Sequence, residues 1–243
     1  MEKWRMIIAL TVMVMTMAVQ SFTGTEMVGL SVIKSEYSDK NQNNNIRIFY
    51  PQIQGLGDEI REEKVNVLIK EDATKLVGGY LYEDNNLFHD LDYEIKFLND
   101  RVFSICYKGS YGGTTNGQKL SPIILTTTVD IGTGKILTLN DVVNDFDALC
   151  GMLVEDRFEN VTMWDGRKGE RKISERYIQD EGLAGSLQKE EWDITAGTNF
   201  GWYVNGRQFV IVLNEVVTYN EFAIDISEVE DILDHGFLEM LGW

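Results

Sequence analysis

The sequence predicts an α+β protein built on mostly antiparallel, hairpin-linked sheets with helices packed on one face. Three observations carry that reading. Apolar residues recur at every second position in many short runs, neighbouring runs are joined by turn residues rather than by helices, and only a few stretches switch to the helical period. An N-terminal segment, 1–24, precedes two expected consecutive subdomains, 25–118 and 119–243.

The first strand signal is Val28, Leu30 and Val32, and the second is Ile46, Ile48 and Tyr50, with a polar turn from Ser38 to Asn45 between them. Pro51, one of two prolines, is expected to stop the second strand. From Asp58 to Val77 the pattern turns helical, with Ile60, Val65, Leu68, Ile69, Ala73 and Leu76 as the apolar face. Leu91, Tyr93, Ile95 and Phe97 then alternate with Asp92, Glu94 and Lys96. A turn at Asn99-Asp100 leads into Phe103, Ile105 and Tyr107, which makes a hairpin with one wet face.

A glycine-rich loop is expected over Gly109 to Gly117, followed by a long strand carrying Ile123, Leu125, Thr127, Val129 and Ile131. Its return is Lys135 to Leu139. Asn140 or Asp141 can cap a helix with Val143, Phe146, Leu149, Cys150 and Leu153 inward. Glu155 to Asp193 has little periodicity and holds a basic cluster from Arg167 to Arg176, read as a solvated loop. Asn205-Gly206 then predicts a type I′ hairpin turn between Trp202–Val204 and Arg207–Leu213. Phe222, Ile224 and Ile226 make a last strand. Ser227 and Glu230 form a capping box for a helix presenting Val229, Ile232, Leu233, Phe237 and Leu241.

Lys3 and Arg5 stand before an uncharged apolar run from Met6 to Val19, the pattern of an export signal, and the run is short for a spanning anchor. The expected location is therefore extracytoplasmic, secreted or held at the membrane only through an uncleaved N-terminus. Without residues 1–24 the chain carries 20 Lys and Arg against 38 Asp and Glu, a net charge of −18. Such a field repels nucleic acid and favours cationic partners, as well as conferring solubility. Export permits a disulfide between Cys106 and Cys150, although both lie in apolar contexts that suit buried free thiols.

Chemistry is sparse. His89 and His235 are the only histidines, no zinc-type spacing is present, and no Gly-x-Ser-x-Gly elbow presents a nucleophile. His235 is expected on the surface near the C-terminal end of the last helix. No catalytic residue, metal site or cofactor is expected. The loop candidates for ligand contact are Tyr111, Gly112, Gly113, Thr114 and Thr115, and the aromatic candidates are Trp164 and Trp192, alongside the alternative that the aromatics are core.

Tyr50-Pro51-Gln52-Ile53-Gln54-Gly55-Leu56, Phe103-Ser104-Ile105, Gly112-Gly113 and the run Asp130-Ile131-Gly132-Thr133-Gly134-Lys135-Ile136-Leu137-Thr138-Leu139 resemble a paired extracytoplasmic domain of unknown function. That pair occurs in a lysozyme-responsive anti-sigma factor and in the N-terminal part of a peptidoglycan deacetylase. Thr114-Thr115 stands where the family often has Ala-His, and Tyr219 to Ile226 lacks the usual proline and glycine. What the resemblance implies is a sensing or wall-associated domain, with neither the anti-sigma nor the deacetylase activity carried over whole.

The expected function is thus a non-catalytic binding or sensing module of the cell envelope, recognising a lysozyme-like cationic muramidase or peptidoglycan. The alternatives are a carboxylate-based hydrolase of wall glycans and a secreted structural module without a specific ligand.

Overall fold

The computed structural model describes residues 29–40, 44–77, 87–113, 120–164, 167–168, 183–189, 199–215 and 218–243. Strands β1 (Ser31–Lys40), β2 (Asn45–Gln54), β3 (Leu87–Leu98), β4 (Val102–Gly113), β5 (Ser121–Asp130) and β6 (Lys135–Ile136) form a six-stranded sheet in sequential order. Every neighbouring pair is antiparallel except β2 and β3, which run parallel over Asn45–Ile48. The α1 helix (Glu59–Ala73) lies in that parallel connection. The ladder between β4 and β5 crosses residue 118, the expected division of the chain.

After short helices α2 (Leu139–Val142) and α3 (Phe146–Val154) come the two-residue strands β7 (Glu159–Asn160), β8 (Met163–Trp164) and β9 (Arg167–Lys168), then α4 (Leu183–Lys189). Strands β10 (Asn199–Asn205), β11 (Gln208–Glu215) and β12 (Thr218–Asp225) build a second sheet, ordered β10-β11-β12-β7 and antiparallel throughout. Two 3₁₀ turns (Ile226–Glu228 and Glu230–Ile232) and α5 (His235–Leu241) complete the chain. The fold is α+β, as the periodicity predicts.

The layers follow from strand alternation. Ile105, Tyr107 and Ile123 of the first sheet pack with Val65, Ile69 and Ala73 of α1 in one core. On the opposite face Cys106 and Ile124 meet Tyr203, Val210, Val212 and Ala223 of the second sheet. The outer face of that sheet, with Trp202, Phe209 and Ile211, packs on Leu149, Leu187 and Phe237 from α3, α4 and α5. Burying such side chains stabilises by about 25 cal/mol per Å² of apolar surface. The second sheet covers the first over β4 and β5, while on the same face Arg47 and Asp92 of β2 and β3 stay exposed.

Several local expectations are corrected. Pro51 does not end β2, which continues to Gln54. At Pro51 the strand is laddered to β1 only, because its pairing with β3 ends at Ile48, so a missing amide donor is tolerated there. Ile60 is exposed at 83% rather than inward; at 100° per residue it lies about 140° round the helix from Val65. Gly109 to Gly113 belong to β4 and not to a loop. A Cβ at Gly109 would stand 1.9 Å from the Asp90 carbonyl oxygen, so the close approach of β3 requires glycine there.

The helix expected from Asn140 is broken at Val143-Asn144-Asp145. Asn144 N–H donates to Ile232 O and Asp234 N–H to Val142 O, both at 2.8 Å, and this pairing with the C-terminal segment displaces the helical ladder. Asp145 then caps α3 by accepting from Ala148 N–H at 2.9 Å. The expected Ser227 capping box gives way to the 3₁₀ turns, and Asp234 caps α5 instead. His235 is exposed as expected but opens α5 rather than closing it.

The β10–β11 loop is Gly206-Arg207, since Asn205 pairs with Gln208. Gly206 has φ of 60° and neither Asn205 nor Arg207 has a positive φ, which fits a type II′ turn and not the expected type I′. Cys106 and Cys150 are both free thiols.

Candidate functional site: a polar seam between the sheets

The inter-sheet layer contains charged groups. Lys108 follows Cys106 on the inner face of β4, and Glu221 precedes Ala223 on the inner face of β12. Lys108 Nζ donates to Glu221 Oε2 at 3.1 Å, and Tyr203 Oη donates to Glu221 Oε1 at 2.6 Å. Both carboxylate oxygens are thereby used. Thr162 Oγ1 accepts the Glu221 amide at 2.8 Å, which fixes the strand beneath the side chain. Toward solvent the cluster continues through Glu94, 3.9 Å from Lys108 and hydrogen-bonded to Lys96, whose ammonium lies over the Tyr203 ring.

Neutral groups extend the seam. Asn214 spans from the second sheet to Ile124, accepting from its N–H at 2.9 Å and donating to its carbonyl at 2.7 Å, as another strand would. The outward amides of edge strand β10 are taken by hydroxyls: Trp202 N–H donates to Thr126 Oγ1 and Val204 N–H to Ser104 Oγ, each at 3.1 Å. Ser104 and Thr128 share a further hydrogen bond of 2.8 Å.

The electrostatics favour holding over reacting. Burial pushes the Cys106 thiol up to about 12, and burial with the nearby Glu221 carboxylate pushes the Tyr203 phenol up. Burial works against a charged Lys108, yet the neighbouring acidic groups Cys106, Glu221 and Glu94 outweigh it and raise its pKa. Cys150 is likewise pushed up to about 11 by burial and by Asp147. A thiol acts as nucleophile through its thiolate, so neither cysteine is activated. The seam is a set of satisfied partners that joins two sheets.

The ligand candidates from the sequence lie elsewhere. Tyr111, Gly112 and Gly113 form the end of β4, opposite His89, Phe88 and Leu87. Tyr111 is buried, with its ring centroid 6.4 Å from that of His89. Trp164 is placed in β8 opposite Arg167, while Thr114, Thr115 and Trp192 lie outside the described residues. His89 is itself buried at 1%, burial lowers its pKa to about 4, and neither ring nitrogen finds a hydrogen-bond partner among the described residues.

The seam residues escaped sequence reasoning. The available signal was alternation: Ser104, Cys106 and Lys108 interleave with apolar Phe103, Ile105 and Tyr107, and Glu221 interleaves with Phe222 and Ile224. Alternation marks a polar face without saying that a second sheet covers it. Among the described residues no group of three metal-ligating side chains is assembled, and no helix is long and apolar enough to cross a membrane. An open groove beside α1 is lined by Gln52, Glu59, Glu62, Glu63, Asn66, Val67 and Lys70.

No family model and no curated protein matches the sequence. Among solved structures the chain is similar to a DUF3298-family protein from Bacteroides fragilis, at 12% identity and a TM-score of 0.49, over 87% of this chain and 96% of that one. It is also similar to a DUF3298-family protein from Pseudomonas aeruginosa, at 12% identity and a TM-score of 0.36, over 86% and 96%.

Proposed function

We propose that this chain is a non-catalytic extracytoplasmic binding module whose ligand is a cationic protein of the muramidase type. The observation that carries the reading is the concentration of exposed carboxylates where α3 meets the C-terminal turns. The backbone bonds between Val142–Asn144 and Ile232–Asp234 set Asp145 and Asp147 near Glu230 and Asp231, and all four are exposed. With an overall charge of −17, that face supplies a field that draws in a basic surface and orients it. The satisfied seam and the inactive thiols support binding over turnover.

Calorimetry with lysozyme, and with a similarly basic cytochrome as control, tests this at low salt and at about 0.5 M ionic strength, where screening acts within a few ångströms. Lysozyme binding is expected to weaken but persist at high salt while cytochrome binding disappears. The D147K/E230K/D231K variant should bind lysozyme at least about tenfold more weakly, a loss equivalent to roughly 1.4 kcal/mol. Equal binding of both basic proteins, or none, overturns the proposal.

A further inference from the structure

The sheets treat their edges unequally. In the second sheet, edge strand β10 has the Trp202 and Val204 amides bound by Thr126 and Ser104, and the other edge, β7, is two residues long. In the first sheet the β6 edge is also two residues long. The opposite edge is β1, ten residues paired to β2 without a register break and free of proline. Proteins guard long edges with proline, bulges, short strands or coverings, because an open row of amides and carbonyls is a template for another strand. Where β5 runs past β6 its edge holds Pro122 and has both backbone groups of Ile124 bound by Asn214, so among the described residues β1 is the long edge strand with no other strand beyond it.

We propose that β1 is an interaction surface for a second copy of this chain, which adds its own β1 antiparallel across a two-fold axis at Ser35. The sequence of the strand is self-complementary in that register. Residue pairs then sum to 70, so residues 31–39 of one copy lie opposite 39–31 of the other. Lys34, which also holds Asp92 of its own chain, faces Glu36 of the second copy twice, and Ile33 faces Tyr37 twice. Opposite charges and aromatic with β-branched side chains are favourable cross-strand pairs. Shifting the axis to Glu36 would instead set Glu36 against itself, and shifting it to Tyr37 would set Lys34 against Lys40. The interface is isologous, closing at two copies, and it joins the two six-stranded sheets into one.

Sedimentation velocity of the full chain over a concentration series tests the proposal. A monomer–dimer equilibrium is expected. E36K opposes like charges at two places and should raise the dissociation constant at least about tenfold, while the charge swap K34E/E36K/D92K, which also keeps the pair between positions 34 and 92, should restore dimerisation. A cysteine on the axis is the second readout: S35C should oxidise to a disulfide-linked dimer, since facing Cα atoms in an antiparallel pair lie about 4.5–5.5 Å apart, within disulfide range. Thermal melting confirms that each variant is folded. A chain that stays monomeric at every concentration overturns the proposal, and so does a dimer insensitive to E36K and not linked by S35C.

Discussion

His89 is walled into the α1-side core with its pKa lowered to about 4, so it folds as the neutral imidazole. The unfolded chain takes up a proton below about 6.5, before the folded state does. Stability from this residue is therefore fully present above that pH and falls as pH drops toward 4. The expected loss is on the order of 3 kcal/mol at 1.36 kcal/mol per pKa unit. Urea midpoints measured between these limits should decline less in His89→Leu than in the parent, and parallel declines would show that another group governs the acid limb. Gly206 poses a second residue-scale test. Its φ of 60° opens the β10–β11 turn, and a β-branched side chain there is strained. Gly206→Val should lower the urea midpoint by the equivalent of more than about 1 kcal/mol, as an incompatible backbone conformation costs.

At the scale of elements, the seam decides what joins the sheets. Glu221→Ala leaves Tyr203 Oη and Lys108 Nζ without their acceptor in a closed layer, and removing one partner of such a pair costs roughly 3 kcal/mol or more. The exposed Lys34–Asp92 pair, also at good distance, should cost less than about 1 kcal/mol when Lys34 becomes Ala. A denaturation series with both variants checks the ordering. Elements whose cause is local were legible in the sequence: the β3–β4 hairpin around Asn99-Asp100, the β5 strand with its return, and the strands flanking Asn205-Gly206 all stand close to where alternation and turn residues place them. Where a distant segment intervenes, local reading fails. The break at Asn144 exists because residues 232–234 pair there, and Gly109 is a strand residue because Asp90 lies against it. The seam was illegible for the same reason, since Lys108 and Glu221 are separated by 113 positions and each reads alone as a solvated charge.

The molecule as a whole carries 39 acidic against 22 basic residues. Like-charge repulsion works against compaction, and salt at about 0.15 M screens it beyond roughly 8 Å. The melting temperature should rise from low to physiological salt, and calorimetric scans that show a fall would mean that exposed ion pairs outweigh the net charge. The hydroxyls of Ser104 and Thr126 have another consequence, seen in time rather than in energy. Edge-strand amides ordinarily trade their protons with water early, because nothing beyond the edge holds them. The Trp202 and Val204 amides of β10 can exchange only when the two sheets part, since their acceptors belong to the other sheet. Their deuterium uptake is a clock for that separation: slow, and matched to the Ile124 amide held by Asn214. Uptake at these three amides as fast as in an open loop would mean that the sheets part far more readily than the rest of the fold.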